Sequence, residues 1–175
     1  SFYVNELNQV FIPVNGGIYL PMDSLWFIPP VRGYYFTSFA PNVSDTGFFT
    51  FANTVDSSLL FYLKSSKVGP IKRVCVLKLE KGIYNLIFVN NTCYVWGNNG
   101  RTGRIGILLK NQIKWLFSIS GIIKQVQVND SSEIYFALQN AVYNLRSRQI
   151  VLIAKETVYG FCFDHSGNII VSTAR

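Results

Sequence analysis

The chain has 175 residues, 49% hydrophobic and 15% aromatic, and a formal net charge of +7 from 16 Lys and Arg against 9 Asp and Glu. That apolar content excludes a disordered chain. No uninterrupted apolar run approaches the roughly 18 residues of a membrane-spanning helix, and no basic stretch followed by an apolar block opens the sequence as a secretion signal would, so a soluble, mature or truncated chain is expected.

In chain order, short runs rich in Val, Ile, Tyr, Phe and Trp alternate with clusters of Gly, Asn, Ser and Asp every 8 to 12 residues, the pattern of antiparallel strands joined by tight turns. The first group is FYVNE, QVFIPV, GIYLPM and SLWFIP; the second is GYYFTSFA, GFFTFAN, SLLFYLKS and IKRVCVLKLE. A third follows as IYNLIFV, TCYVWGN, RIGILLK and QIKWLFSIS, and a fourth as IIKQVQV, EIYFALQ, AVYNLR and RQIVLIAKE. The last group has only YGFCFD and NIIVSTAR. Even IKWLFSISGIIKQVQV is no helix, being interrupted at Gly121 and β-branched on both sides.

Aligning the second strand of each group puts Val10, Phe48, Cys93, Ile134 and Ile169 in register, with steps of 38, 45, 41 and 35 residues and a mean of about 40. Asn15, Asn53, Asn98 and Asn140 recur near the end of that strand, where a residue tolerant of left-handed backbone suits a hairpin. Four-stranded units at this period, each sheet apolar on both faces, predict the blades of an all-β propeller in which neighbours cover one another. A β-sandwich explains the alternation but not the recurrence of one pattern at five places. The expectation is therefore one propeller domain over 1–175, of about four and a half four-stranded antiparallel blades in an incomplete ring.

Two stretches carry a resemblance. EIYFALQNAVYNL resembles the blade signature of the two-component-regulator propellers, and YGFCFDHSGNIIVS is similar to the NHL-type blade with its Asp and Gly in the first hairpin. CYVWGNNGRTG also resembles the repeat of the regulator of chromosome condensation family, with Trp96, Gly97, Asn99 and Gly103 in place, but it occurs once where that family repeats it. The resemblance implies a propeller and no particular function, since propellers host sensors, scaffolds and enzymes alike.

The inventory for catalysis is thin. His165 stands alone in the turn DHSG, and the carboxylates Glu6, Asp23, Asp45, Asp56, Glu80, Asp130, Glu133, Glu156 and Asp164 fall mostly at turns or strand ends. Cys75, Cys93 and Cys162 lie in apolar runs with no CxxC spacing; buried reduced thiols are expected, with no metal and no cofactor. GNNGRTGRIG supplies Arg101 and Arg104 as candidate anion contacts, yet it joins two strands and lacks the helix whose N-terminus would hold a phosphate. Glycosylation triplets at Asn42, Asn90 and Asn129 match chance in so polar a chain.

Charge gains meaning from the repeat. Lys64 and Lys67 flank the turn between third and fourth strands of the second group, Lys110 and Lys114 that turn in the third, and Arg146 and Arg148 that turn in the fourth. With Lys72 and Arg73 they form an arc on one rim that would steer an acidic partner. The expected function is a non-catalytic interaction module or scaffold within a larger complex, with a second copy or another chain completing the ring. The alternative is an extracytoplasmic sensor binding a small molecule or glycan near the axis. Tyr62, Trp96, Trp115 and Tyr135 alternate as core residues do, which argues against base stacking and a nucleic-acid partner.

Overall fold

A computed structural model describes all residues except 1, 5–7, 15, 22–24, 29, 42–46, 65–71, 111 and 174–175, and leaves aside the side chains of residues 25–26 and 72–73. Among the described residues every element is a strand. The first sheet holds β1 (Tyr3–Val4), β2 (Val10–Val14), β3 (Gly17–Leu20) and β4 (Leu25–Ile28); the second holds β5 (Tyr35–Pro41), β6 (Phe48–Asn53), β7 (Ser57–Lys64) and β8 (Lys72–Glu80). The third comprises β9 (Ile83–Val89), β10 (Thr92–Asn99), β11 (Thr102–Leu109) and β12 (Gln112–Ser120). The fourth comprises β13 (Ile123–Val128), β14 (Ile134–Leu138), β15 (Ala141–Asn144) and β16 (Ile150–Ile153), and the fifth β17 (Val158–Phe163) and β18 (Ile169–Thr173). Within each sheet the strands pair antiparallel in chain order, as the turn spacing predicts.

The sheets stack through their faces. A β-strand points successive side chains to opposite sides, and here each side meets a different neighbour. In β14, Ile134, Phe136 and Leu138 enter the cluster shared with the third sheet, while Ala137 and Tyr135 enter the one shared with the fifth. In β6, Phe48 and Ala52 pack with Phe11 and Ile18 of the first sheet, whereas Phe51 packs with Tyr84 and Val95 of the third. Four clusters therefore fill four seams, and each fully buried Phe or Leu in them contributes about 1.5–3 kcal/mol. β5 lies against β2 and β3, β9 against β5 and β6, β13 against β10, and β17 against β13 and β14. The first strand of each sheet is thus the one that meets the preceding sheet, the arrangement of propeller blades around an axis. Among the described residues no buried cluster joins the first sheet to the fifth.

The recurrent asparagines do something other than turn the hairpins. Neither Asn53 nor Asn98 has positive φ. Each instead reaches across a seam and clasps one residue of the next blade by both backbone groups. The Tyr84 amide donates to Asn53 Oδ1 at 3.1 Å and Asn53 Nδ2 donates to the Tyr84 carbonyl at 3.2 Å; the Ile123 amide and carbonyl meet Asn98 Oδ1 and Nδ2 at 2.8 and 2.9 Å. Thr37 Oγ1 adds a bond to the Tyr84 carbonyl at 2.7 Å, and the Leu86 amide donates to Ser38 Oγ. Asn140 departs from the pattern: it is exposed in the two-residue turn after β14, and Nδ2 donates to the Ala154 carbonyl of its own blade. At the last seam Gln125 Oε1 takes over, accepting from the Phe161 amide at 2.7 Å. Asn15 lies outside the described residues.

Close approach beside the clasp explains Gly97. A Cβ there would collide with the Ile83 carbonyl and the Tyr84 backbone.

The cysteines correct an expectation. Only Cys93 is substantially covered, whereas Cys75 and Cys162 are exposed. Cys162 pairs in register with Ile170, itself exposed, on the face of the fifth sheet away from Val158 and Phe161. Apolar neighbours in sequence do not cover a thiol when no sheet lies over that face.

Two outcomes are expected. Asn98→Ala or Asn53→Ala strips two bonds and leaves a backbone N–H and C=O unpaired inside a seam, costing about 2–4 kcal/mol, whereas Asn140→Ala costs under about 0.5 kcal/mol by chemical denaturation; equal losses at all three would refute the clasp. Burial pushes the Cys93 thiol up to about 12. Near pH 8 its thiolate fraction is on the order of 1 in 10,000, so a disulfide reagent should titrate two thiols quickly and the third only after unfolding.

Candidate interaction surface

Because strands alternate in direction, the turns between first and second strands and those between third and fourth strands share one rim; turns between second and third strands lie on the other. The candidate cations distribute accordingly. Lys110 is exposed with φ of 51° in the turn between β11 and β12, and Lys114 is exposed on β12 opposite Ile107. Arg146 and Arg148 are exposed in the turn between β15 and β16. That turn is built by Asn144, whose Oδ1 accepts from the Ser147 amide at 2.9 Å while its carbonyl accepts from the Arg148 amide at 2.9 Å. Buried at 6% exposure, Asn144 ties the arginine turn to the sheet. Among the described residues no carboxylate lies within salt-bridge distance of Lys110, Lys114, Arg146 or Arg148.

In the second blade Lys64 stands opposite Lys72, and Leu63 opposite Arg73, on paired strands. Lys67 lies outside the described residues, as do the side chains of Lys72 and Arg73.

Arg101 and Arg104 part company. Arg101 is exposed on the opposite rim, where its carbonyl accepts from the Gly121 amide at 2.7 Å. Arg104 reaches Glu80 of the preceding blade at 2.6 Å and lies 5.8 Å over the Trp115 ring. Beneath them Tyr84 is fully buried, its hydroxyl without a hydrogen-bond partner among the described residues; burial, then the Glu80 carboxylate, pushes that phenol up, and Arg104 opposes.

Among the described residues the carboxylates of the basic rim sit on the turns between first and second strands. Asp164 organises one: Oδ1 accepts from the Ser166 and Asn168 amides and Oδ2 from Asn168 Nδ2, all at 2.8 Å, bonds that hold its carboxyl below the usual range. Gly167 takes the left-handed position at φ 80°, and His165 is exposed beside it. The preceding blade repeats the turn with Asn129 in the Asp164 role, its Oδ1 accepting from the Glu133 amide at 2.8 Å, and with Ser132 at φ 62° where Gly167 stands.

One feature escapes any strand-by-strand reading. A cleft of about 500 Å³ opens on this rim between the third and fourth blades. Its walls are Asn90, Ser131, Ser132 and Glu133 from two inner turns and Arg146 and Arg148 from the outer one; Tyr94, Phe117, Ile134 and Leu145 lie deeper. The serine in the glycine position of the Asn129 turn was the one sequence signal for it. Among the described residues no group of three His, Cys, Asp or Glu side chains converges as metal ligands would, and no helix is long and apolar enough to cross a membrane.

No protein-family model and no curated protein matches the sequence. Solved structures do match by fold. The propeller of Dos1 superposes with a TM-score of 0.61 at 16% identity over 97% of this chain and 51% of that one. A Bacteroides uniformis protein described as a candidate 6-phosphogluconolactonase gives 0.59 at 10% identity over 98% and 62%. At such identities the likeness is one of fold: the chain is a β-propeller that spans roughly half to three fifths of the length of these neighbours.

Proposed function

We propose that this propeller is a non-catalytic binding module, a single structural unit that docks an acidic protein surface on the rim carrying the turns between third and fourth strands. The observation that supports it is the exposure of Lys110 and of Arg146 and Arg148 at equivalent turns of successive blades, with Lys114 exposed near the start of β12, and with no carboxylate among the described residues within salt-bridge distance. Lys64 extends the arc to the second blade, where its strand pairs with the one that carries Lys72 and Arg73, and Lys67 lies outside the described residues. The blades are locked by seam bonds, so the cations are held at fixed spacing and association orders little but their own side chains. The carboxylates of the same rim among the described residues, Asp130, Glu133 and Asp164, keep their charge but sit on the turns between first and second strands, apart from the cations of the outer turns. The edge of β18, which among the described residues pairs only with β17, is open to a further strand. Axial sensing of a small molecule has less support. The cleft on this rim is lined by turns and by β10, β12 and β14 rather than by the inner strands.

The test is retention on immobilised poly-glutamate. Reversing Lys110, Lys114, Arg146 and Arg148 to Glu should weaken binding tenfold or more at about 0.05 M salt, with the difference fading towards about 0.5 M as the charges are screened. Reversing Lys78 and Lys155, which lie elsewhere, serves as the control. Equal losses from both sets would overturn the assignment of the rim.

A further inference from the structure

The cleft between the third and fourth blades adds to the basic arc something that charge alone lacks, an apolar depth. Phe117 and Tyr94 belong to the third blade and Ile134 and Leu145 to the fourth, and all four are part of the cluster that fills this seam. The cleft is the open mouth of that core. Around it stand unengaged polar groups: the hydroxyls of Ser131 and Ser132 and the guanidinium groups of Arg146 and Arg148 have no hydrogen-bond partner among the described residues.

The backbone of these walls is held in uncommon conformations. Asn90, Ser132 and Arg148 have φ of 46°, 62° and 58°. Asparagine tolerates that region, but serine and arginine do so at a cost, and the homologous turn of the next blade uses Gly167 instead. The charge at the cleft lies at its outer end. Two arginines stand at the outer end, while Glu133 lines the inner end with its carboxylate drawn to the Tyr135 hydroxyl on the face towards the fifth blade.

We propose that this cleft is the anchor point for a segment of the partner protein in which one large apolar side chain is followed by carboxylates. The apolar side chain seats against Phe117, Ile134 and Leu145. The carboxylates face Arg146 and Arg148 and accept from the serine hydroxyls. Continuity favours a peptide as the occupant: the cleft opens onto the same rim as Lys110 and Lys114, so a chain leaving it meets further cations. The inference rests on the acidic-partner reading and sharpens it from a field to a site.

The experiment titrates the ¹⁵N-labelled protein with acetyl-Phe-Asp-Asp-amide, acetyl-Phe-Lys-Lys-amide, acetyl-Gly-Asp-Asp-amide and phenylacetate. The first should give saturable amide shifts at residues 131–134 and 145–148, and the other three should bind at least tenfold more weakly. Arg146→Ala with Arg148→Ala should weaken the first peptide tenfold or more. Ser132→Gly should weaken it about threefold while raising the melting temperature, since glycine relaxes the left-handed position; this variant separates lost binding from lost folding. No saturation by about 10 mM, equal binding of the Asp and Lys peptides, binding of phenylacetate as tight as the peptide's, or shifts confined to other residues would each overturn the cleft. Lys110→Glu with Lys114→Glu separates the two proposals. It should reduce poly-glutamate retention and leave the tripeptide unchanged, so failure of the rim with a working cleft, or the reverse, is read directly.

Discussion

The second strand of the fourth blade, β14, has no solvent side. Phe136 and Ala137 are adjacent in β14, both wholly buried, and face different sheets. A single such sheet in water would expose two apolar faces; covering both with copies of itself, each twisted relative to the last, produces a stack of blades. Everything else in the molecule follows from that stacking. It sends half the turns to each rim, brings residues about 40 positions apart in the chain to equivalent places, and makes each seam a core shared by two blades.

Stacking alone leaves the relative slide of two greasy faces undetermined, because apolar contact is not directional. The asparagine clasps remove that freedom. Asn53 and Asn98 each pair with both backbone groups of a single residue in the next blade, so the seam has one register. Arg104 works at the same boundary from the outside, spanning from its own blade to Glu80 of the one before and resting on Trp115. An exposed pair of this kind contributes little to stability. Its effect is on the candidate anion site: a guanidinium already facing a carboxylate has less to offer a ligand.

The strands and their grouping were legible because alternation and turn residues are local signals, and five groups at one period reinforce one another. The basic turns were legible for the same reason. Once strands are counted, each turn has a rim, and Lys110, Lys114, Arg146 and Arg148 could be assigned to one. Asn98 shows where such reasoning stops. Its place near a hairpin suggested a turn role, yet its partner is Ile123, 25 residues on and across a seam. The same limit applies to Cys75 and Cys162, whose apolar neighbours said nothing about whether a sheet would lie over them.

By itself the sequence determined the strand order, the four-stranded period and the rim on which the cations lie, since all three depend on side-chain direction and turn chemistry within a few residues. Only the tertiary structure decided which polar side chains bridge the seams, which thiols face water, and that Ser132, Glu133 and Arg148 enclose a cleft with Phe117. Those are relations between blades. They depend on which faces meet and at what offset, and that is set by packing across a seam rather than by any stretch of chain on either side of it.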